Sequence, residues 1–175
     1  MKITLKDGSV KEYSEAKSVY EIAQDISEGL ARVACAGEVN GEVVDLRTVV
    51  EQDCELSILT MNDEEGLRTL RHTTSHILAE AVKRVFPEAT IAIGPAIAEG
   101  FYYDFESQSF SREDLDAIEK EMKKIIKEGA KLEKFTLPRA EAIALMEEKG
   151  EPYKVELIND LPEDSIISFY KQGEF

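Results

Sequence analysis

Apolar and polar residues alternate from Met1 to Leu5, break at Asp7-Gly8, and resume from Val10 to Tyr13, which predicts a hairpin. The period then lengthens. Val19, Ile22, Ala23 and Ile26 fall on one helical face behind the capping-box pattern Ser18-Val19-Tyr20-Glu21, and Gly29 marks the expected helix end. Short apolar runs at Arg32–Ala36, Glu42–Leu46 and Glu55–Leu59, with Asn40-Gly41 as a tight turn, predict three more strands. The order ββαβββ suggests a sheet grasping one helix, so residues 1–61 are expected to form a small α+β domain.

Acidic Asn62-Asp63-Glu64-Glu65 leads into a long helix that should end near Phe86, before Pro87. Thr90–Ile97 and Gly100–Glu106 read as paired strands turning near Glu99-Gly100. Ser111 to Asp114 opens another helix, and Leu115, Ile118, Met122, Ile125 and Ile126 keep helical spacing to Gly129. Pro138 opens a shorter helix closed by Gly150. Tyr153, Val155 and Leu157 alternate as a strand would, and Ile166–Tyr170 reads as one more. Residues 62–175 are therefore expected to form a second α+β domain, an antiparallel sheet packed against helices. The chain stops after Gly173-Glu174-Phe175 without a tail or charged run, which suggests a fragment truncated at its C-terminus.

Composition narrows the field. Hydrophobic residues make up 43% of 175, enough for real cores. No apolar run has the length of a membrane span, and no basic-then-apolar leader opens the chain. Two cysteines, Cys35 and Cys54, fall short of a secreted disulfide framework, so a reducing, cytoplasmic setting is expected. Both lie in predicted strands and read as small buried hydrophobes. The net charge of -15 argues against a broad nucleic-acid footprint, though not against a small site reading one end of an RNA. Residues 1–62 hold 6 basic and 12 acidic side chains, a balance of -6, which points to a spacer or docking surface. Lys120, Lys123, Lys124, Lys127, Lys131 and Lys134 form the densest basic run, but Glu119, Glu121, Glu128 and Glu133 interleave with them. A solvated, salt-bridged helix face is the first expectation there and an RNA contact the second.

The chain has only 2 histidines, His72 and His76, one helical turn apart, with Cβ atoms expected about 6 Å from each other. At about 100° per residue, Leu67, Leu70, Thr74, Ile77, Leu78, Ala81 and Val85 cluster as an apolar stripe. The two imidazoles fall nearly opposite, beside Thr69, Ala79 and Lys83. Three readings stay open on this evidence: a half-buried structural pair, half of a zinc site, or side chains that bind substrate polar groups and position water. Zinc needs a third protein ligand and a structural zinc a fourth, and both cysteines lie in the other predicted domain. The metalloprotease motif would need Glu where Thr73 stands.

Longer motifs carry a resemblance. Ile-Ala-Ile-Gly-Pro-Ala-Ile at 91–97, followed by Gly100-Phe101-Tyr102-Tyr103-Asp104 and placed after His-x3-His, is similar to the N-terminal region of bacterial threonyl–tRNA synthetases. Val39-Asn40-Gly41-Glu42-Val43-Val44-Asp45 and Asp63-Glu64-Glu65-Gly66 match the same family, and the likeness spans essentially the whole chain. His-x3-His alone would also fit alanyl–tRNA editing domains. The β-grasp module (the TGS domain) and Gly-Phe-Tyr-Tyr-Asp select the threonyl branch.

The resemblance implies a ubiquitin-like TGS domain followed by an editing domain that hydrolyses serine wrongly attached to threonine tRNA. Serine lacks one methyl group of threonine, worth only about 1–3 kcal/mol in a binding pocket, so a second pocket that rejects the methyl removes the error. The substrate is an activated ester, for which a positioned water and a stabilised oxyanion suffice. By this analogy His72 and His76 form half of the site. Lys154 matches the family's site lysine and, alternating away from Tyr153 and Val155, would hold the terminal adenosine or the developing negative charge. Tyr103 would hydrogen-bond the attacking water. Taken without the family, Lys154 is an ordinary strand lysine and Tyr103 a core aromatic.

The family completes the site with an aspartate and a Cys-x3-His segment that this sequence does not contain, so weak or absent hydrolysis is expected from these residues alone. No cofactor is expected here, and zinc at the histidine pair would be incomplete. ATP, magnesium and the catalytic zinc of the family belong to the aminoacylation core. The implied partners are the acceptor end of threonine tRNA and its seryl-adenosine moiety, with no membrane. A monomer is expected for this piece and a homodimer for the parent. Two rival functions remain: a non-catalytic RNA- or protein-docking module, and a metal-dependent hydrolase that would bind stoichiometric zinc.

Overall fold

A computed structural model describes residues 1–175. They form two compact units, Met1–Thr73 and Thr74–Phe175.

In the first unit, β1 (Lys2–Leu5) and β2 (Val10–Glu12) form the expected hairpin. A short β3 (Lys17–Ser18) leads into α1 (Val19–Ile26), which opens with a complete capping box between Ser18 and Glu21. Gly29 does not end this helix. Ser27 does, in extended backbone, and its hydroxyl accepts from the Leu30 amide at 3.0 Å to cap α2 (Glu28–Val33). The strand expected from Arg32 therefore begins later, as β4 (Ala34–Val39), followed by β5 (Glu42–Val44), β6 (Val49–Val50) and β7 (Cys54–Thr60).

The main sheet has the order β2-β1-β7-β4-β5, with β1 and β7 parallel and the other pairs antiparallel, while β3 pairs with β6. Ile3, Val19, Ile22, Val50 and Leu56 make the core under α1. Each such side chain contributes about 1.5–3 kcal/mol when fully buried. Gly37 lets α1 approach β4, because a Cβ there would stand 2.6 Å from Val19 Cγ1. Cys35 and Cys54 are free and half-buried.

Next comes the 22-residue helix α3 (Glu64–Val85). Asp63 Oδ2 accepts from the amide and hydroxyl of Thr60 at its start, and Gly66 presses so closely on the Thr60 carbonyl that a Cβ would collide with it.

In the second unit, β8 (Thr90–Ile91) pairs with β11 (Phe105–Glu106), and β9 (Ala96–Ile97) with β10 (Gly100–Phe101). These are the two expected strands, interrupted around Gly94-Pro95. Ser111 and Asp114 close a capping box on α4 (Arg112–Glu128), and Gly129, at φ 64°, ends it. Strand β12 (Leu132–Leu137), α5 (Arg139–Glu148), α6 (Pro152–Asp160) and β13 (Ile167–Gln172) complete the chain, with β12 and β13 antiparallel. Instead of one sheet, the second unit holds separate two-stranded ladders between its helices.

Two expectations are corrected here. Tyr153–Leu157 is helix rather than strand: Pro152 occupies the first helical turn, and Val155 and Ile158, three apart, turn toward a core with Ala142, Met146 and Ile167. The second concerns α3. Its apolar stripe packs with Ile118, Ile125 and Met122 of α4, as Ala81, Val82, Ile77 and Leu78 join one cluster. Yet Ser75 and Ala79, beside the histidines, are also fully buried, while Leu70 is largely exposed. The helix is covered on more than one side. Arg84 ties it to α4, reaching Glu80 at 2.7 Å, Glu121 at 3.0 Å and Glu128 at 2.9 Å.

No helix of the chain is long and apolar enough to cross a membrane.

Candidate functional site

The floor of the candidate site is backbone. Ser75 on α3 donates its hydroxyl to the carbonyl of Gly94 at 3.1 Å, tying the helix to the segment between β8 and β9. Gly94 leaves its face bare, and the ring of Tyr103 occupies the space where a Cβ would project. Tyr103 also stacks on Phe105, with centroids 5.0 Å apart, so it borders the core rather than sitting at its centre. Burial pushes its hydroxyl up to about 12, and the nearby Glu151 carboxylate adds to the effect. It therefore stays protonated and remains a donor.

Lys154 lies half-buried in the first turns of α6, with its ammonium 5.9 Å from the centroid of Phe175. Burial pushes its pKa below the ordinary lysine value. Glu151 opposes that push, while Lys149 and Lys83 reinforce it. The sequence placed Lys154 on a strand facing away from the core. It stands instead on a helix, its amide donating to the Glu151 carbonyl at 3.1 Å.

His76 comes from α3, with its ring 6.0 Å from that of Tyr170 on β13. Lys83 lies two turns further along the same face of the helix and meets Glu151 Oε1 at 3.4 Å. That ion pair joins α3 to the start of α6. Tyr153 adds a second tie, donating its hydroxyl to Glu106 at 2.9 Å. His76, Tyr103 and Lys154 are thus carried by elements locked to one another.

His72 stands one turn before His76 on α3 and belongs to the first unit. Part of the ring is solvent-accessible, yet burial of the rest lowers its pKa from the ordinary value and Arg68 lowers it further. The ring is neutral at pH 7 and can accept a hydrogen bond.

Sequence reasoning passed over Glu151 and Lys83. Glu151 is 5% exposed, and the available signal was its place beside Pro152 at a helix start, obscured by reading that stretch as a strand. No group of three or more His, Cys, Asp or Glu side chains is arranged to hold a metal ion. The histidine pair by itself does not make up a zinc ligand set.

Comparison with known proteins adds a second line of evidence. Residues 1–60 match the TGS domain family. Threonine–tRNA ligase of Acetivibrio thermocellus is 66% identical over 176 residues, covering 100% of this chain and 28% of that protein. The enzymes of Clostridium botulinum strain Eklund 17B and Clostridioides difficile are 64% and 57% identical, again over 100% of the chain. The chain spans 27–28% of the length of these relatives. With a TGS domain in its first unit and this identity running through both, the chain corresponds over its whole length to the N-terminal portion of threonine–tRNA ligase.

Proposed function

We propose that the second unit is the editing region of a threonine–tRNA ligase and takes part in hydrolysing serine mischarged onto threonine tRNA. The observation that supports this most is the tie between the elements that carry the residues: Lys83, on the helix that bears His76, meets Glu151 at the start of the helix that bears Lys154 at 3.4 Å. In the proposed reaction, water attacks the ester carbonyl that joins serine to the terminal ribose. His72 and His76 orient that water and accept its proton, and the Tyr103 hydroxyl completes its hydrogen bonding. The Lys154 ammonium faces the negative charge that forms on the carbonyl oxygen. The leaving group is the ribose hydroxyl, and no step requires a metal.

Threonine tRNA, its seryl-adenosine end and a cytoplasmic setting belong to the same proposal. So does the expectation that residues 1–175 alone hydrolyse weakly or not at all, because the family's Cys-x3-His segment is not among them.

The test is release of serine from serylated threonine tRNA, comparing residues 1–175 with a form extended by about twenty residues. The extended form should hydrolyse the ester, and its His76→Ala and Lys154→Met variants should lose about 100-fold or more. No hydrolysis by any of them would favour a docking module instead.

A further inference from the structure

One short stretch of chain touches two residues of the site. Ile167 and Phe169 of β13 join the core of Ala142, Met146 and Ile158, so Tyr170, next in the alternation, points to the other face of the strand. There its ring meets that of His76 from α3, with centroids 6.0 Å apart and planes at 55°, a tilted aromatic contact. Beyond it, Gln172 closes a tight turn with Phe175. The Gln172 amide donates to the Phe175 carbonyl at 2.9 Å, and the Phe175 amide to the Gln172 carbonyl at 3.0 Å. Gly173, at φ 59°, supplies the left-handed residue that so short a turn needs. The turn places the Phe175 ring 5.9 Å from the Lys154 ammonium of α6, close enough for a cation–π contact. The strand itself is held in place: it pairs with β12 from Ile167 to Gln172, and Phe169 stacks on Phe135 with centroids 5.4 Å apart.

We propose that Tyr170 and Phe175 are positioning residues: β13 and its turn hold His76 and Lys154 at a fixed separation, Tyr170 by packing on the imidazole and Phe175 by taking the ammonium against its ring. The proposal rests on the reading of His76 and Lys154 as site residues. In that reading the imidazole handles the proton of the attacking water while the ammonium faces the oxygen that becomes negative. The two act on one carbonyl group only if their spacing is set in advance, and a misplacement of about 1 Å can cost about 100-fold. The long lysine stem has no preferred direction of its own and loses much rotamer freedom when it is ordered. A neutral ring against each group supplies direction without adding a charge beside the forming oxyanion.

The experiment is side-chain NMR of residues 1–175 followed by kinetics of the extended form. The His76 imidazole signal is assigned by its loss in His76→Gln, and the Lys154 methylene signal beside the ammonium by its loss in Lys154→Arg. Gly173→Val, which opposes the left-handed turn, should move both signals toward their free positions while the methyl signals of Ile118 and Ile125 stay in place. Movement of only one signal, or of neither, overturns a shared support. In the extended form, Tyr170→Leu and Phe175→Leu should each lower kcat for serine release about 10-fold with KM held, and Tyr170→Phe and Phe175→Tyr, which keep the rings, should recover most of the loss. A change in KM alone, or no recovery by the ring-bearing variants, overturns the positioning role. If Gly173→Val fails to fold, these four variants decide alone. The NMR measurement uses no tRNA, so its failure is separable from a failure of the editing reaction, which serine release by the unsubstituted extended form reads independently.

Discussion

The ring of Tyr103 lies against Gly94, in the volume that any other residue at position 94 would fill with its Cβ. Gly94→Ala should push the ring away and strain the segment that Ser75 holds, at a cost of about 1–3 kcal/mol. Urea unfolding of the second unit measures that loss, and weaker stacking on Phe105 would show as altered tyrosine fluorescence.

Arg84 is the sole cation bonded to Glu80, which is 3% exposed. Arg84→Met should strand that buried charge and destabilise the fold by about 3 kcal/mol at neutral pH. Burial raises the Glu80 pKa in the folded state, and Arg84 opposes the rise. Without Arg84 the folded form binds the proton more readily than the unfolded one, so stability increases as pH falls through the raised value. The deficit of the variant should therefore shrink in acid. Thermal melts at stepped pH test the sign, and a deficit that grows in acid would contradict it.

His72 should titrate below 6.5, chiefly because of burial and secondarily because of Arg68. Arg68→Met should raise the midpoint without bringing it to that value. Imidazole proton NMR reads both midpoints in one experiment.

Ser111 accepts from the Asp114 amide at 3.2 Å, and its own amide donates to Asp114 Oδ2 at 2.8 Å. Ser111→Ala should cost about 1 kcal/mol. Hydrogen exchange should show the loss concentrated in the first turn of α4.

The elements with strong punctuation were legible before the structure. Ser18, Ser111, Gly129 and Pro138 mark real helix ends, and the long helix after Asp63 needed only its length and periodicity. Tyr153–Leu157 failed because a period of two and a period of 3.6 share positions over so short a window. Val155 and Ile158 satisfy the helix, and Pro152 carried the same signal that Pro138 did. His72, His76, Tyr103 and Lys154 were named through family likeness, without geometry. The Lys83–Glu151 ion pair could not be, since it joins residues far apart in the sequence.

Lys123 and Lys124 on α4 are engaged by Glu119, Glu121 and Glu128 of the same helix. A polyanion laid along that face would have to displace these carboxylates before its phosphates could meet the ammonium groups, and the freed carboxylates would then repel it. Such a face gains little from long-range attraction to a phosphate backbone, since each ammonium brings its own anion with it.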